Sequence, residues 1–164
     1  MFYLYQEGTV EMEVKIVSFP ETKVAAIEHR GSPATEYESS KKLIAWRIEN
    51  KLPPSKHQSY GVHYDDPSTT IPEKYRVDFC VSVESEVVKN KYGVINKTIP
   101  SGKCAVARHL GSREKVTAVT YLYKEWLPKS GEKLRNFPVF FHYVNVGPNI
   151  TEEEMITDVY LPIQ

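Results

Sequence analysis

Two aspartates stand eighty residues apart, Asp78 and Asp158, each inside an alternating apolar run. In YRVDFCVSV, Tyr75, Val77, Phe79, Val81 and Val83 face one way, and Arg76, Asp78, Cys80 and Ser82 the other. Burying a carboxylate on such a strand is costly unless a cation pairs with it. The leading expectation is therefore an ion pair across the sheet, to Arg76 or Arg108. The chemical alternative is an anion held ready for a cationic ligand. Tyr160 shares the face of Asp158 and would join such a site. Four histidines, His29, His63, His109 and His142, fall into two repeat-related pairs, but no HExxH or CxxC spacing accompanies them. No metal site and no cofactor are expected. Cys80 and Cys104 sit singly in apolar strands and read as small core residues. There is no G-x-S-x-G elbow and no phosphate-binding glycine loop, and the eight glycines are scattered. No catalytic residue is assigned.

The positions of these groups follow a repeat. KVAAIEHRGS (from Lys23) lies over KCAVARHLGS (from Lys103), with Lys, Ala, His, Gly and Ser matching at an offset of eighty. The same offset places Trp46 on Trp126, Asp78 on Asp158, Pro20 on Pro100 and Val14 on Val94. A shift of one residue lays GVHYDD over FFHYVN and pairs His63 with His142 and Tyr64 with Tyr143. The chain reads as two similar halves, near residues 10–84 and 90–164. The equivalent tryptophans read as core anchors.

Each half has the same elements. Val10 to Phe19 alternates like a strand, and KVAAIEHR is a second. Gly31 breaks it, and Ser32-Pro33 opens a helix that runs to about Asn50. Tyr37, Ile44 and Ile48 form one stripe of that helix, with Leu43 and Trp46 beside it. YGVHY and YRVDFCVSV follow as strands around the turn DDPSTTIP. In the second half, strands are expected near 93–99, 103–110, 137–145 and 155–163, with a helix after Ser112. The fold class is α+β: two pseudo-symmetric βαββ-like halves, antiparallel sheets each with one helix, and a groove between the halves where a ligand fits.

Composition narrows the partners. The 164 residues suit a single domain over 1–164. Lys plus Arg is 21 and Asp plus Glu is 21, so the net charge is zero. That disfavours nucleic acid and membrane surfaces as partners. No run is long and apolar enough to span a bilayer, and MFYLYQEGTV lacks the basic start of a signal peptide. Two cysteines make no disulfide framework, so the expected compartment is the cytoplasm.

The segment YGVHYDDPSTTIPEKYRVDFCVSV resembles the strand–turn–strand of the GyrI-like domain, also called the AraC-type effector-binding domain. SGKCAVARHLGS, YKEWLPKSGEKL, FPVFFHYV and ITDVYLPI fall where that family has similar segments, and the likeness covers about residues 11 to 163. The resemblance implies two βαββ-like halves around a pseudo-dyad. It also implies one of three roles. Some members are effector-binding domains of bacterial transcription regulators and take cationic aromatic or multidrug ligands. Others are stand-alone proteins similar to DNA gyrase inhibitor. A third group hydrolyses cyclopropane-type electrophiles. With no room for a DNA-binding domain before residue 11, the resemblance implies a stand-alone member.

One departure bears on the binding and hydrolytic roles. Binding and hydrolytic members carry glutamate in a pattern like P-x-F-E-x-Y, and here the segment reads Pro138, Val139, Phe140, Phe141, His142, Tyr143. Phe141 cannot attract a cation or handle a proton, though it can stack on a ring. If Phe141 points into the groove, Tyr143 does too, and by the shifted repeat so do Val62 and Tyr64. The expected ligand-binding set is Val62, Tyr64, Asp78, Phe141, Tyr143, Asp158 and Tyr160. The expected function is non-catalytic binding of a small, flat or amphipathic organic molecule, cationic or neutral, to sense or sequester a toxin or drug. The alternatives are a protein partner, such as a topoisomerase or a regulator, and hydrolysis of reactive electrophiles.

Overall fold

The structure is a computed structural model, and it describes residues 11–164. Val10, the expected start of the first half and of its first strand, lies outside the described residues. Eight strands form one antiparallel sheet: β1 (Val14–Phe19), β2 (Thr22–Arg30), β3 (Ser59–His63), β4 (Arg76–Ser82), β5 (Ile95–Ile99), β6 (Gly102–Leu110), β7 (Phe140–Tyr143) and β8 (Ile156–Pro162). Their spatial order is β1-β6-β8-β7-β3-β4-β2-β5. The two expected sheets are thus continuous, joined where β3 pairs with β7. Each half also lends its first strand to the other, because β1 pairs with β6 and β5 with β2.

The ladder registers repeat at eighty residues throughout. Val62 pairs with Asp78, and His142 with Asp158. Lys15 pairs with Val106, and Ile95 with Ala26. The true counterpart of Val62 is therefore His142, and that of His63 is Tyr143. The one-residue shift that matched His63 to His142 and Tyr64 to Tyr143 does not hold. On a strand, a slip of one residue turns every side chain to the opposite face.

The sheet curls. Phe19 on one edge strand and Ile99 on the other belong to a single buried cluster with Tyr60, Val62, Cys80, Cys104 and Phe140. Phe140 stacks on Tyr160 with ring centroids 4.9 Å apart and takes the edge of Phe19 at 5.0 Å. These side chains fill the concave face.

Helices cover the other face. Ser32 accepts from the Ala34 amide ahead of a short turn with proline at its start, and α1 (Glu36–Glu49) follows. Leu43 and Trp46 of α1 pack on Ala25, Ile27 and Val81. The stripe of Tyr37, Ile44 and Ile48 faces solvent instead. In the second half, α2 (Thr117–Tyr121) widens into a π-type segment (Leu122–Trp126) and then α3 (Leu127–Ser130). Pro128 has no amide to donate, and its ring would crowd the carbonyl four residues back, so the widened turn has a local cause. Ala118 and Leu122 pack on Ala105, Ala107, Val159 and Leu161. The alanines on β2 and β6 let both helices approach closely. Among the described residues no helix is long and apolar enough to cross a membrane.

Candidate functional site

The two aspartates are held by ion pairs, though only one pairs as expected. Asp158 receives Arg108 at 2.7 and 3.0 Å. Asp78 is met by Arg30 at 3.0 Å and Lys97 at 2.7 Å, not by Arg76. Arg76 bonds Asp65 twice at 3.0 Å. The Tyr64 hydroxyl donates to Asp78 at 2.8 Å, and burial with that bond pushes the phenol up to about 12. Arg30, Arg76 and Lys97 all lie over the Tyr64 ring. Both carboxylates are thus committed to cations of the chain itself.

The seven expected site residues do not come together. Val62, Tyr64, Asp78, Asp158 and Tyr160 belong to the concave face, among the packed aromatics and ion pairs. Phe141 and Tyr143 point the opposite way, toward the helices. Phe140 and His142, not Phe141 and Tyr143, share the face of Val62.

On the helix side, α1 sits over β2 and β4, and α2 over β6. The central strands β3 and β7 lie between them, on the pseudo-dyad. There the sequence supplies Gly61 and His63 from β3 and Phe141 and Tyr143 from β7. The His63 and Phe141 rings lie 4.1 Å apart. Phe141 meets Tyr143 edge to face at 6.2 Å. A Cβ at position 61 would collide with the Tyr143 hydroxyl, lie 3.0 Å from Tyr143 Cζ and 3.2 Å from His63 Nε2. Only glycine lets the Tyr143 ring end rest over β3 beside the imidazole.

His63 Nε2 is enclosed and has no hydrogen-bond partner among the described residues. Burial pulls its pKa down to about 4, so the imidazole is neutral near pH 7. Burial and the Glu36 carboxylate push the Tyr143 and Tyr75 phenols up, so both stay protonated. Two arginines flank the region. Arg47 bonds Ser59 Oγ at 2.8 Å, and Ser59 pairs with Tyr143 across the ladder. Arg113 lies 5.1 Å over the Tyr143 ring and bonds Thr157 Oγ1, Asn145 and the Ile156 carbonyl. The partners of both guanidiniums are neutral oxygens, and burial lowers the pKa of each.

His29 and His109 are equivalent and structural. Each ring Nε2 bonds the carbonyl of the serine three residues on, at 2.8 and 2.9 Å, and ties the loop before its helix. Gly61, His63 and Arg113, which gather around Phe141 and Tyr143, were not in the expected set. The repeat did carry a signal for His63 and Gly61, because the strict offset puts His63 on Tyr143 and Gly61 on Phe141.

Comparison with known proteins agrees with this architecture. The family described as GyrI-like small molecule binding domain matches residues 12–164. The chain is 42% identical over 154 residues to the probable transcriptional regulator YgiV of Escherichia coli K12, covering 93% of this chain and 96% of that one. It is 28% identical over 160 residues to the DNA gyrase inhibitor of Erwinia billingiae, covering 93% and 97%. Among solved structures, the EcmrR C-terminal domain superposes with a TM-score of 0.73 at 16% identity, covering 94% of this chain and 99% of that one. SAV2435 bound to tetraphenylphosphonium gives 0.59 at 13% identity, covering 93% and 94%. The chain therefore belongs to the GyrI-like small molecule binding domain family.

Proposed function

We propose that this protein binds a flat, uncharged or anionic aromatic molecule between the two helices, over β3 and β7, and so senses or sequesters it. The carrying observation is the make-up of that floor. Phe141, Tyr143 and a neutral His63 meet on the pseudo-dyad, and among the described residues the flanking cations Arg47 and Arg113 bond neutral oxygens. Aromatic side chains contribute large apolar contact and edge or stacking geometry to a ring. Two cations in a poorly solvated wall oppose a third, and Glu36 acts on Tyr143 from the side of α1. The concave face supplies no rival floor, because its own aromatics and ion pairs occupy it.

The relative solved with tetraphenylphosphonium suggests the test. Tetraphenylphosphonium and a neutral aromatic of similar size are compared by thermal shift at fixed pH. A ligand that binds only the folded state at a hundredfold excess over its Kd adds about 2.7 kcal/mol. The expected result is a rise with the neutral compound and none with the cation. Phe141→Glu should reverse that order by placing a carboxylate in the floor. A shift with the cation alone in the unaltered protein overturns the reading.

A second reading rests on a different surface. Tyr37, Ile44 and Ile48 of α1 are 69%, 51% and 73% exposed, an apolar stripe suited to a protein partner. The relative named DNA gyrase inhibitor makes gyrase the partner to try first. Direct binding to purified gyrase, lost in Ile44→Lys, would favour this reading, and no binding would remove it.

A further inference from the structure

We infer that the molecule bound between the helices carries a hydroxyl on its aromatic ring, and that His63 Nε2 is the atom that reads it. This rests on the binding reading above and deepens it. A buried polar atom left unpaired is destabilising, and such atoms are rare in folded proteins. His63 Nε2 is one, alongside an Asp78 oxygen that already faces Arg30. The unpaired nitrogen lies against Gly61, on the face where the Phe141 and Tyr143 rings gather.

The chemistry of the group narrows its partner. A neutral imidazole Nε2 either donates or accepts, according to its tautomer. A carboxylate only accepts and an ammonium only donates. A hydroxyl does both and satisfies either tautomer. The imidazole is uncharged near pH 7 and offers no charge to attract an ion. The surrounding rings require the rest of the ligand to be flat and apolar. The class that meets these conditions is a phenol.

Tyr143 itself illustrates the fit. Its own phenol end lies over Gly61 beside the nitrogen without bonding it. Tyr143 is half-buried, and Arg113 lies 5.1 Å over its ring. In the bound state the ligand hydroxyl takes the place beside the nitrogen that the Tyr143 hydroxyl holds over Gly61 here, and the Tyr143 ring stays against Phe141.

The test is calorimetric titration with 2-naphthol and with naphthalene, which differ by one hydroxyl. Naphthalene is the more apolar, so burial alone favours it. The expected result is 2-naphthol binding about tenfold tighter, the worth of one good hydrogen bond. His63→Phe keeps a ring against Phe141 and should erase that preference. The 15N resonances of the His63 imidazole in the unaltered protein should move with 2-naphthol and stay put with naphthalene, a result that needs no variant to fold. Equal binding of the two probes, a preference that survives His63→Phe, or unmoved resonances overturns the inference and leaves the binding reading standing. If neither probe binds, the binding reading falls and this inference falls with it.

Discussion

The two faces of the central strands β3 and β7 are built on opposite terms. On the concave face Tyr60, Val62, Phe140 and Tyr160 interlock, and the charged groups beside them are paired. On the helix face Gly61, His63, Phe141 and Tyr143 meet with one nitrogen left unpaired and one ring half-buried. Alternate residues of the same few strands supply both. A face whose groups are satisfied internally holds the fold together. The face that leaves a polar atom unsatisfied has given up some stability, and a ligand can return it.

The sharpest way to break this contrast is to truncate neighbouring phenylalanines. Phe140 is 1% exposed and touches Phe19, Tyr60, Phe137 and Tyr160. Phe140→Ala should cost about 3–5 kcal/mol in denaturant unfolding. The protein that remains folded should still bind its aromatic ligand with little change. Phe141→Ala should weaken ligand binding more than its loss of stability accounts for. Equal effects of the two truncations on affinity would erase the distinction between the faces.

Much of this arrangement was legible in the sequence, and the part that was not has a physical reason. The eighty-residue repeat, the strand order within each half and the Asp158–Arg108 pair follow from matched segments and alternation. The error lay at two HY dipeptides, His63-Tyr64 and His142-Tyr143. Their identity invited a one-residue slip, and on a strand that slip exchanges the faces. Phe141 and Tyr143 were thereby joined to Val62 and Tyr64, which point away from them. The α1 stripe was visible, but the sheet takes Leu43 and Trp46 because Ala25 leaves room for those larger side chains. The unpaired nitrogen of His63 was not legible. It depends on Tyr143 closing over Gly61 from a strand eighty residues away.

The neutral imidazole gives the contrast a pH signature. The pKa of His63 is about 4 in the folded protein and near 6.5 when unfolded. Between those values the unfolded chain holds more protons, so stability falls as the pH falls. The contribution is fully present above about pH 6.5 and declines toward pH 4, by up to about 3 kcal/mol. Denaturant unfolding of the unaltered protein and of His63→Phe across that window measures it as the difference in slope. His142 is also lowered by burial and titrates in both proteins, so it cancels in the difference. Parallel slopes would mean that water reaches the imidazole in the folded state.

The smallest effects separate the two halves of the satisfied face. Asp78 is 1% exposed and anchors Arg30, Lys97 and the Tyr64 hydroxyl. Its equivalent Asp158 is 14% exposed and pairs with an Arg108 that is 55% exposed. Asp78→Asn should cost about 2 kcal/mol, because Arg30 and Lys97 are left with the more exposed Glu28 as their shared anion and Lys97 is mostly covered. Asp158→Asn should cost under about 1 kcal/mol, because Arg108 can turn to water. Salt should shrink the second difference and leave most of the first. Neither change should alter affinity for an aromatic ligand, since both carboxylates point away from Phe141 and His63. A loss of binding in Asp78→Asn with stability intact would return the ligand to the concave face and reverse the roles of the two.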